Sequence, residues 1–587
     1  MKKSLFTAKK TLALALSTLC VSTAFLGTAC KPGGGGGNSG DGDIQVDNTK
    51  TQLYVANLQG GIGYEWLDKV ITRFEALYEN EVFKPGTQGV QIIPNKEYSV
   101  NGAWLLLPQD DPWEVYFNEN LTYNEYVMQD HLLDLSDVVN APAKTGPNSQ
   151  ESVTIASKLD DDQKAGLTAY DGNYYAIPHY EAYRGVSYNV KVFEEKKYFF
   201  AANKNNGNNG FILSKTDTRS AGPNGKTGDY DDGLPATLEE FAKLCERMAG
   251  TGTIPFVWPG ESVEYTEYLV DAIEASIGGA EALELNYTYD SGEDGQGNPK
   301  TTKVITAIDG NNVTTQDVSI KNDNGYYVKQ LLGKYYGYQT LEMVIDNIDR
   351  YAYGLSNNDD TFTQYDSQED FIRSNLINKP IGMIIDGSYW WNEAKDAWGR
   401  AVDDFGETRM NDNKNFAWMP MPTAINESDR ASGAKEPVLR DVMKSYAFVN
   451  ANISDTDYKV RLAKEFVSFC YSDESLREFT TTTGVAKGLN YNLLPEEKEA
   501  LNPFAKSCWT VREKGTIVRT LSSNLMVIEC ERDLLFNVFD TVVSGDPYST
   551  PFRAFLDGIS AGDYMKGQWI LPNDWASDYG RYFTEGV

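Results

Sequence analysis

The sequence predicts an α/β protein of two lobes with a cleft between them. Three observations carry this. The chain has 587 residues, enough for two large lobes, each with its own core. Its first non-leader segment reads strand, glycine loop, helix, which opens an α/β unit. The stretch Tyr170–Asn189, YDGNYYAIPHYEAYRGVSYN, is too aromatic for an exposed loop and too polar for a core strand. A segment that crosses between lobes and lines a cleft would have both properties.

Taken in order, Leu53–Leu58 alternates as a strand, and Gly60-Gly61-Ile62-Gly63 interrupts it. Trp66, Val70, Phe74 and Leu77 recur at helical spacing and predict an amphipathic helix over 64–78. The glycines do not follow GxGxxG, so a dinucleotide site has little support. Val90–Ile93 and Trp113–Phe117 read as the next strands. Ligands of open α/β sheets sit at the carboxyl ends of strands, which makes Phe117, Asn118 and Glu119 candidate cleft residues. His131–Val139 reads as a short helix. Inside the aromatic stretch, Tyr174–Ile177, stopped by Pro178, and Gly185–Tyr188 read as two short strands. Residues 199–236 are rich in Asn, Gly and Asp and read as a surface insertion. Asp229, Asp231 and Asp232 there leave a calcium loop open, although a solvated acidic turn suits their spacing better.

Thr237 and Glu240 form a capping box ahead of the apolar face Phe241, Leu244, Cys245 and Met248. Residues 285–328 read as a hairpin excursion and 327–353 as a long helical stretch. Ile381–Ile385 is a buried strand with Tyr389, Trp390 and Trp391 just past its end. Three consecutive rings cannot all enter one core, so at least one is expected to line a cleft. Tyr446–Val449 is a further strand, and Ala463–Phe479 an amphipathic helix.

Hydrophobic residues make up 41% of the chain, which supports sizeable cores and excludes wholesale disorder. A formal charge of -31 repels phosphate backbones and anionic lipid heads, so nucleic acid is not an expected partner. Aromatics reach 12%, an excess that fits either stacking on a ligand or a large Tyr-rich extracellular protein.

At the N-terminus Lys2, Lys3, Lys9 and Lys10 precede an apolar run from Thr11 to Leu26, then Gly27-Thr28-Ala29-Cys30. This is a secretory signal over residues 1–29. It resembles a bacterial lipoprotein signal, in which the cysteine, here Cys30, becomes the lipidated first residue. The glycine-rich stretch over 30–48 reads as a flexible tether. No later run is long or apolar enough to span a bilayer. Cys245, Cys470, Cys508 and Cys530 remain in the body with no CxxC spacing, so neither zinc nor redox chemistry is indicated. Free thiols are favoured over a Cys508–Cys530 disulfide.

Catalytic motifs are sparse. The chain has two histidines, His131 and His179, with no GxSxG and no HExxH. A paired-carboxylate glycosidase stays open because 84 acids offer many pairs. Aromatic residues at strand ends, interleaved with amides and acids, suit non-covalent carbohydrate capture. The apolar faces of a pyranose lie on rings while its hydroxyls hydrogen-bond at the edge.

The order of segments is itself informative: WLDKVITRFEALYEN, GNYYAIPHYEAYRGVSYNVKVFEE, LPATLEEFAKLCERM, IPFVWP, KPIGMIIDGSYWWNEAK, FAWMPMP and AKEFVSFCYSDESLREFTTTTG. It resembles the extracellular solute-binding lipoproteins of carbohydrate ABC transporters, the sugar-binding family that includes maltodextrin-binding protein, over most of residues 50–490. The resemblance implies a periplasmic-binding-protein-like fold of two lobes, each a mixed sheet flanked by helices, with the ligand in the cleft between them. It implies a first lobe of about 49–182 and 423–510. The second would span 183–422 and 511–587, with insertions near 199–236 and 285–328.

The same resemblance implies Glu181 as the cleft carboxylate, Phe256 and Trp258 as binding rings, and Tyr389 as the main stacking platform with Trp391 as second choice. Phe117 falls where the family often has a ring. The implied activity is capture of an oligosaccharide without catalysis, by a monomer that hands it to ABC permease subunits. No cofactor or metal is implied. The alternatives are a membrane-anchored glycoside hydrolase and a solute-binding protein for a peptide or other non-sugar ligand.

Overall fold

The computed structural model describes residues 45–98, 113–119, 123–258, 263–346, 364–374, 376, 380–430, 435–441, 445–524, 527 and 551–584. Cys30, Cys530 and the segment 347–353 of the expected long helix lie outside these residues.

Among the described residues the first strand is β1 (Thr51–Leu58), followed by the helix Glu65–Leu77, which buries Trp66, Leu67, Val70, Ile71 and Phe74. Each such side chain contributes about 1.5–3 kcal/mol on leaving water. The strands β2 (Val90–Tyr98) and β3 (Val115–Asn118) pair parallel on either side of β1. A hairpin of β4 (Pro142–Gly146) and β5 (Ser149–Thr154) follows, then β6 (Ala176–Pro178). From there the chain enters a second sheet at β7 (Arg184–Asn189). In that region come the helix Leu238–Gly250, β8 (Ile254–Val257), and the long helical element Val263–Thr288. Next are the hairpin β9 (Thr302–Asp309) and β10 (Asn312–Val318), the helix Leu332–Asp346, β11 (Ile381–Gly387) and β12 (Phe416–Met419). Three last strands are β13 (Val438–Asp441), β14 (Tyr446–Val449) and β15 (Thr516–Arg519).

Two sheets define two lobes. The first has the order β2-β1-β3-β14-β6 and the second β12-β7-β11-β8. Each is mixed: β14 runs antiparallel to β3 and β6, and β7 antiparallel to β11 and β12, while β8 is parallel to β11. One core gathers Leu53, Trp66, Phe74, Phe117 and Phe466, and the other Val186, Phe241, Met383, Trp390 and Phe416.

Chain crossings join the lobes. Residues 179–183 link β6 to β7, and β13 pairs parallel with β15 beside them. Tyr183 bridges Asp441 of β13, and the Glu181 amide donates to the Ala486 carbonyl at 3.1 Å. The aromatic stretch around Tyr180 is thus the expected crossing.

Four readings change. The segment 199–236 is not simply a surface insertion: Phe199, Phe200 and Phe211 are buried in the second core, because their rings exceed what a solvated loop can expose. The expected helix over 463–479 is two helices, Asp457–Cys470 and Asp473–Thr483. Ser472 separates them and caps the second by accepting from the Ser475 amide at 3.3 Å. In 131–139 only Ser136–Val139 is helical, since Leu132 pairs with Asn450 and the Leu133 amide donates to Val449. The capping box at Thr237 is half formed. Thr237 accepts from the Glu240 amide at 3.1 Å, but the Glu240 carboxylate accepts from Ala236 rather than from the cap.

The acids of the calcium reading are turned inward. Asp231 accepts from the Asn224 amide at 2.8 Å, Asp229 from the Asn224 side chain at 3.0 Å, and Asp232 from Gly228 at 2.7 Å. Among the described residues no group of three or more His, Cys, Asp or Glu is placed to hold a metal ion. Among them also, no helix is long and apolar enough to cross a membrane. Cys245, Cys470 and Cys508 are buried free thiols.

Candidate functional site

Where the lobes face each other, the first contributes the loop after β1. Gly60 and Gly63 have φ of +39° and +71°, which favour glycine. The loop is also approached from both sides. A Cβ on Gly60 would collide with the Glu119 carboxylate, and one on Gly61 would lie 2.8 Å from the Tyr389 ring. Glu119 follows the end of β3 and accepts a hydrogen bond from the Tyr180 phenol, on the crossing. Burial pushes the Glu119 carboxyl up to about 7 against that hydrogen bond. At the base of the loop Asn57 donates to the Gly63 carbonyl at 3.2 Å.

The second lobe contributes the end of β11 and the start of the element 263–288. Tyr389 has its hydroxyl 2.9 Å from that of Tyr268 and donates to Tyr265 at 3.3 Å. The rings of Tyr265 and Tyr268 stack at 4.7 Å, and the Arg184 guanidinium lies over Tyr268. Gln368 donates to both Asp386 (3.1 Å) and Glu393 (2.8 Å), bridging two carboxylates. Burial and the Glu393 charge hold Asp386 well above the usual carboxylate range. Asn392 donates to the Gly61 carbonyl at 2.8 Å and Lys395 pairs with Glu65 at 2.8 Å, so both ties run between lobes.

The arrangement is therefore four phenols, Tyr180, Tyr265, Tyr268 and Tyr389, set among the carboxylates of Glu119, Asp386 and Glu393. Rings offer apolar faces, phenols both donate and accept, and ionised carboxylates only accept.

The sequence candidates distribute unevenly. Tyr389 and Glu119 are brought together here on opposite sides of the glycine loop. Trp391 is half-buried one helical step further and packs on Trp398 at 4.3 Å. Phe117 is fully buried, edge-on to Trp66 at 4.9 Å and beside His179. Asn118 is buried and turns back to accept from the Glu119 amide at 2.9 Å. Phe256 packs on Phe241 at 5.8 Å and Trp258 on Phe552 at 5.6 Å, both inside the second core.

Glu181 is engaged within the crossing. Its carboxylate is fully buried. It pairs with Arg512 (2.5 Å) and with Arg519, and accepts from the Tyr183 phenol at 2.5 Å. Burial would raise this carboxyl, but the two guanidinium groups hold it down at about 2. Arg519 also pairs with Asp441 (3.0 Å) and Asp160 (3.1 Å). On the other face of β13, Arg440 pairs with Asp271 (2.5 Å), which also pairs with Arg184 (2.6 Å).

Sequence reasoning passed over Tyr265 and Tyr268, whose spacing of three at a helix start places both rings on one face. It also passed over Tyr180, Asp386 and Glu393, each within a few residues of a chosen candidate. The arginines of the crossing left no local signal. Nor did Lys487, which is buried among Trp66, Tyr471 and Phe479 with its ammonium 2.7 Å from His179 Nδ1.

No family model matches the chain, and no curated protein matches it in sequence. Solved structures do. A chitin oligosaccharide binding protein shares 12% identity with a TM-score of 0.51, over 90% of this chain and 100% of its own. A chain from a study of xylan utilization by the thermophilic bacterium Caldanaerobius polysaccharolyticus shares 13% identity with a TM-score of 0.50, over 88% and 99%. The fold is the two-lobe α/β fold of solute-binding proteins. On that fold the particular features of this chain are its tyrosine- and carboxylate-rich lobe interface and its arginine-paired crossing.

Proposed function

We propose that this chain is the extracellular substrate-binding protein of an ABC importer, which captures an oligosaccharide between its lobes and delivers it to the membrane permease. The observation that carries the reading is the meeting of Tyr389 with the glycine loop across the lobe interface, with Tyr180, Tyr265, Tyr268 and Glu119 around it. The chitin oligosaccharide binding protein shares this fold, which supports the ligand class. Tyr389 is the main stacking ring and Glu119 a hydroxyl acceptor. Phe117, Phe256 and Trp258 support the two cores behind them, and Glu181 serves the crossing. Cys30 carries the lipid that holds a monomer at the outer face of the cell membrane. Ligand touching both lobes would shift the population toward closure.

The test is a thermal-shift and titration screen of the purified protein against oligosaccharides, with product analysis by chromatography. A raised melting temperature with unchanged sugar supports capture. Released product would move the assignment to a glycoside hydrolase, and binding of peptides alone to a different solute class.

A further inference from the structure

Resting on that reading, we infer that a notch beside the crossing receives one hydroxymethyl group of the bound sugar, held by Arg519, so that the ligand is an oligosaccharide of hexoses with a free C6 hydroxyl. The notch is lined by Pro178 at the end of β6, Tyr180 of the crossing, Asp441 at the end of β13, Ser445 just before β14, and Arg519 and Thr520 at the end of β15. It adjoins the tyrosine cluster. Tyr180 also donates its phenol to Glu119, and the Ser445 hydroxyl donates to the Asn118 carbonyl at 3.3 Å. The enclosed part of the notch, about 10 Å³, has room for about one water-sized group.

Arg519 gives the notch its chemistry. The residue is 4% exposed. Its Nε donates to Asp160 at 3.1 Å, and its Nη1 to Asp441 at 3.0 Å and to Glu181. A guanidinium carries five N–H donors, of which these bonds use the one on Nε and both on Nη1. The pair on Nη2 has no hydrogen-bond partner among the described residues. Donors left unmade at so buried a residue carry a cost that an acceptor on the ligand removes.

The acceptor that fits is a hydroxyl. An ammonium group only donates and cannot answer Nη2. An anion is not called for, because Arg512 and Arg519 are already matched by Glu181, Asp160 and Asp441. A hydroxyl accepts from Nη2 and still has a proton to give, and the notch holds acceptors in the Asp441 carboxyl and the Ser445 hydroxyl. Room decides which hydroxyl. A space for one water admits no ring, and a hydroxyl fixed directly on a pyranose brings the ring to the rim with it. A hydroxymethyl arm carries its oxygen one bond further out and reaches in.

The experiment uses the full mature protein and titration calorimetry at neutral pH. The probes are tetrasaccharides on β-1,4-gluco, α-1,4-gluco and β-1,4-galacto backbones, each as the parent and as its 6-deoxy form, with xylotetraose, whose pentoses have no C6, alongside. The expected result is that a parent binds at least tenfold tighter than its 6-deoxy form, the loss that goes with an unanswered hydrogen bond to a charged group. Thr520→Leu, which fills the notch from its rim and leaves the arginine pairs in place, should bring the two forms within threefold of each other. Arg519→Lys, which removes Nη2, should do the same; because Arg519 also holds the crossing, the wild-type comparison and Thr520→Leu decide if that variant does not fold. Equal binding of parent and 6-deoxy forms, a gap that persists in Thr520→Leu, or binding of xylotetraose alone overturns the inference and leaves sugar capture standing. Failure of every probe to bind overturns the capture reading, and this inference with it.

Discussion

Replacing Glu181 by glutamine tests the crossing directly. The side chain is fully buried, and its two oxygens are shared by Arg512, Arg519 and the Tyr183 phenol. Glutamine keeps the shape and removes the charge, leaving Arg512 with the Leu489 carbonyl at 2.7 Å as its remaining strong acceptor. Two routes give the magnitude. Removing one partner of a buried ion pair costs about 3–5 kcal/mol. Independently, a carboxyl held at about 2 when folded, against an ordinary 4.5, contributes about 3 kcal/mol at neutral pH. The sign follows from the lowered value: this stability is full above 4.5 and is lost as pH falls through 2.

The assay is equilibrium chemical unfolding of wild type and Glu181→Gln at pH 7 and pH 3. The expected gap is about 3 kcal/mol at pH 7, shrinking to about 1 kcal/mol at pH 3. An unchanged unfolding curve would refute the reasoning. So would a tenfold loss of sugar affinity with stability intact, since Glu181 would then be a ligand contact as the sequence resemblance implies.

Tyr389→Ala should weaken oligosaccharide binding by tenfold or more, about 1.4 kcal/mol, in titration calorimetry. Gly61→Ala places a methyl 2.8 Å from the Tyr389 ring and should hold the lobes apart. A larger radius of gyration in ligand-bound small-angle scattering, with weaker affinity, is the expected outcome. Lys487 is pushed down to about 7 by burial, so the folded state holds fewer protons than the unfolded state above that value, and stability should rise with pH toward 10. Lys487→Met removes this rise, and between pH 7 and 9 the wild type should gain about 2 kcal/mol more unfolding free energy than the variant.

What could be read from the sequence depended on whether the signal was local. The crossing was legible because a run of rings and polar groups fits neither core nor loop, and β6 and β7 lie within two residues of the expected strands. Strand ends at Glu119 and Tyr389 were legible for the same reason. The direction of Phe117, Phe256 and Trp258 was not. Strands covered on both faces lack the alternation that tells cleft from core, and every residue of β3 and β11 is buried. The ion pairs of Glu181 left no local signal, because its partners Arg512 and Arg519 are 331 and 338 residues away. A carboxylate in an aromatic stretch looks the same whether it awaits a sugar or an arginine.

The two sets of interlobe contacts differ in strength, and this bears on how the cleft opens. At the mouth, the Asn392–Gly61 hydrogen bond contributes about 1 kcal/mol. The Lys395–Glu65 pair has both side chains nearly half exposed and adds at most about 1 kcal/mol more. At the crossing, breaking a single member of the Glu181 network costs about 3 kcal/mol or more, and the β13–β15 ladder adds its own hydrogen bonds. We propose that opening would separate the mouth and leave the crossing intact, as a swing about residues 179–183 and the β13–β15 pair. The two polar ties together contribute about 2 kcal/mol, and the packing of the buried Tyr389 ring against the glycine loop adds to them. A sugar that touches both lobes with a few kcal/mol of differential binding is enough to move the population from mostly open to mostly closed.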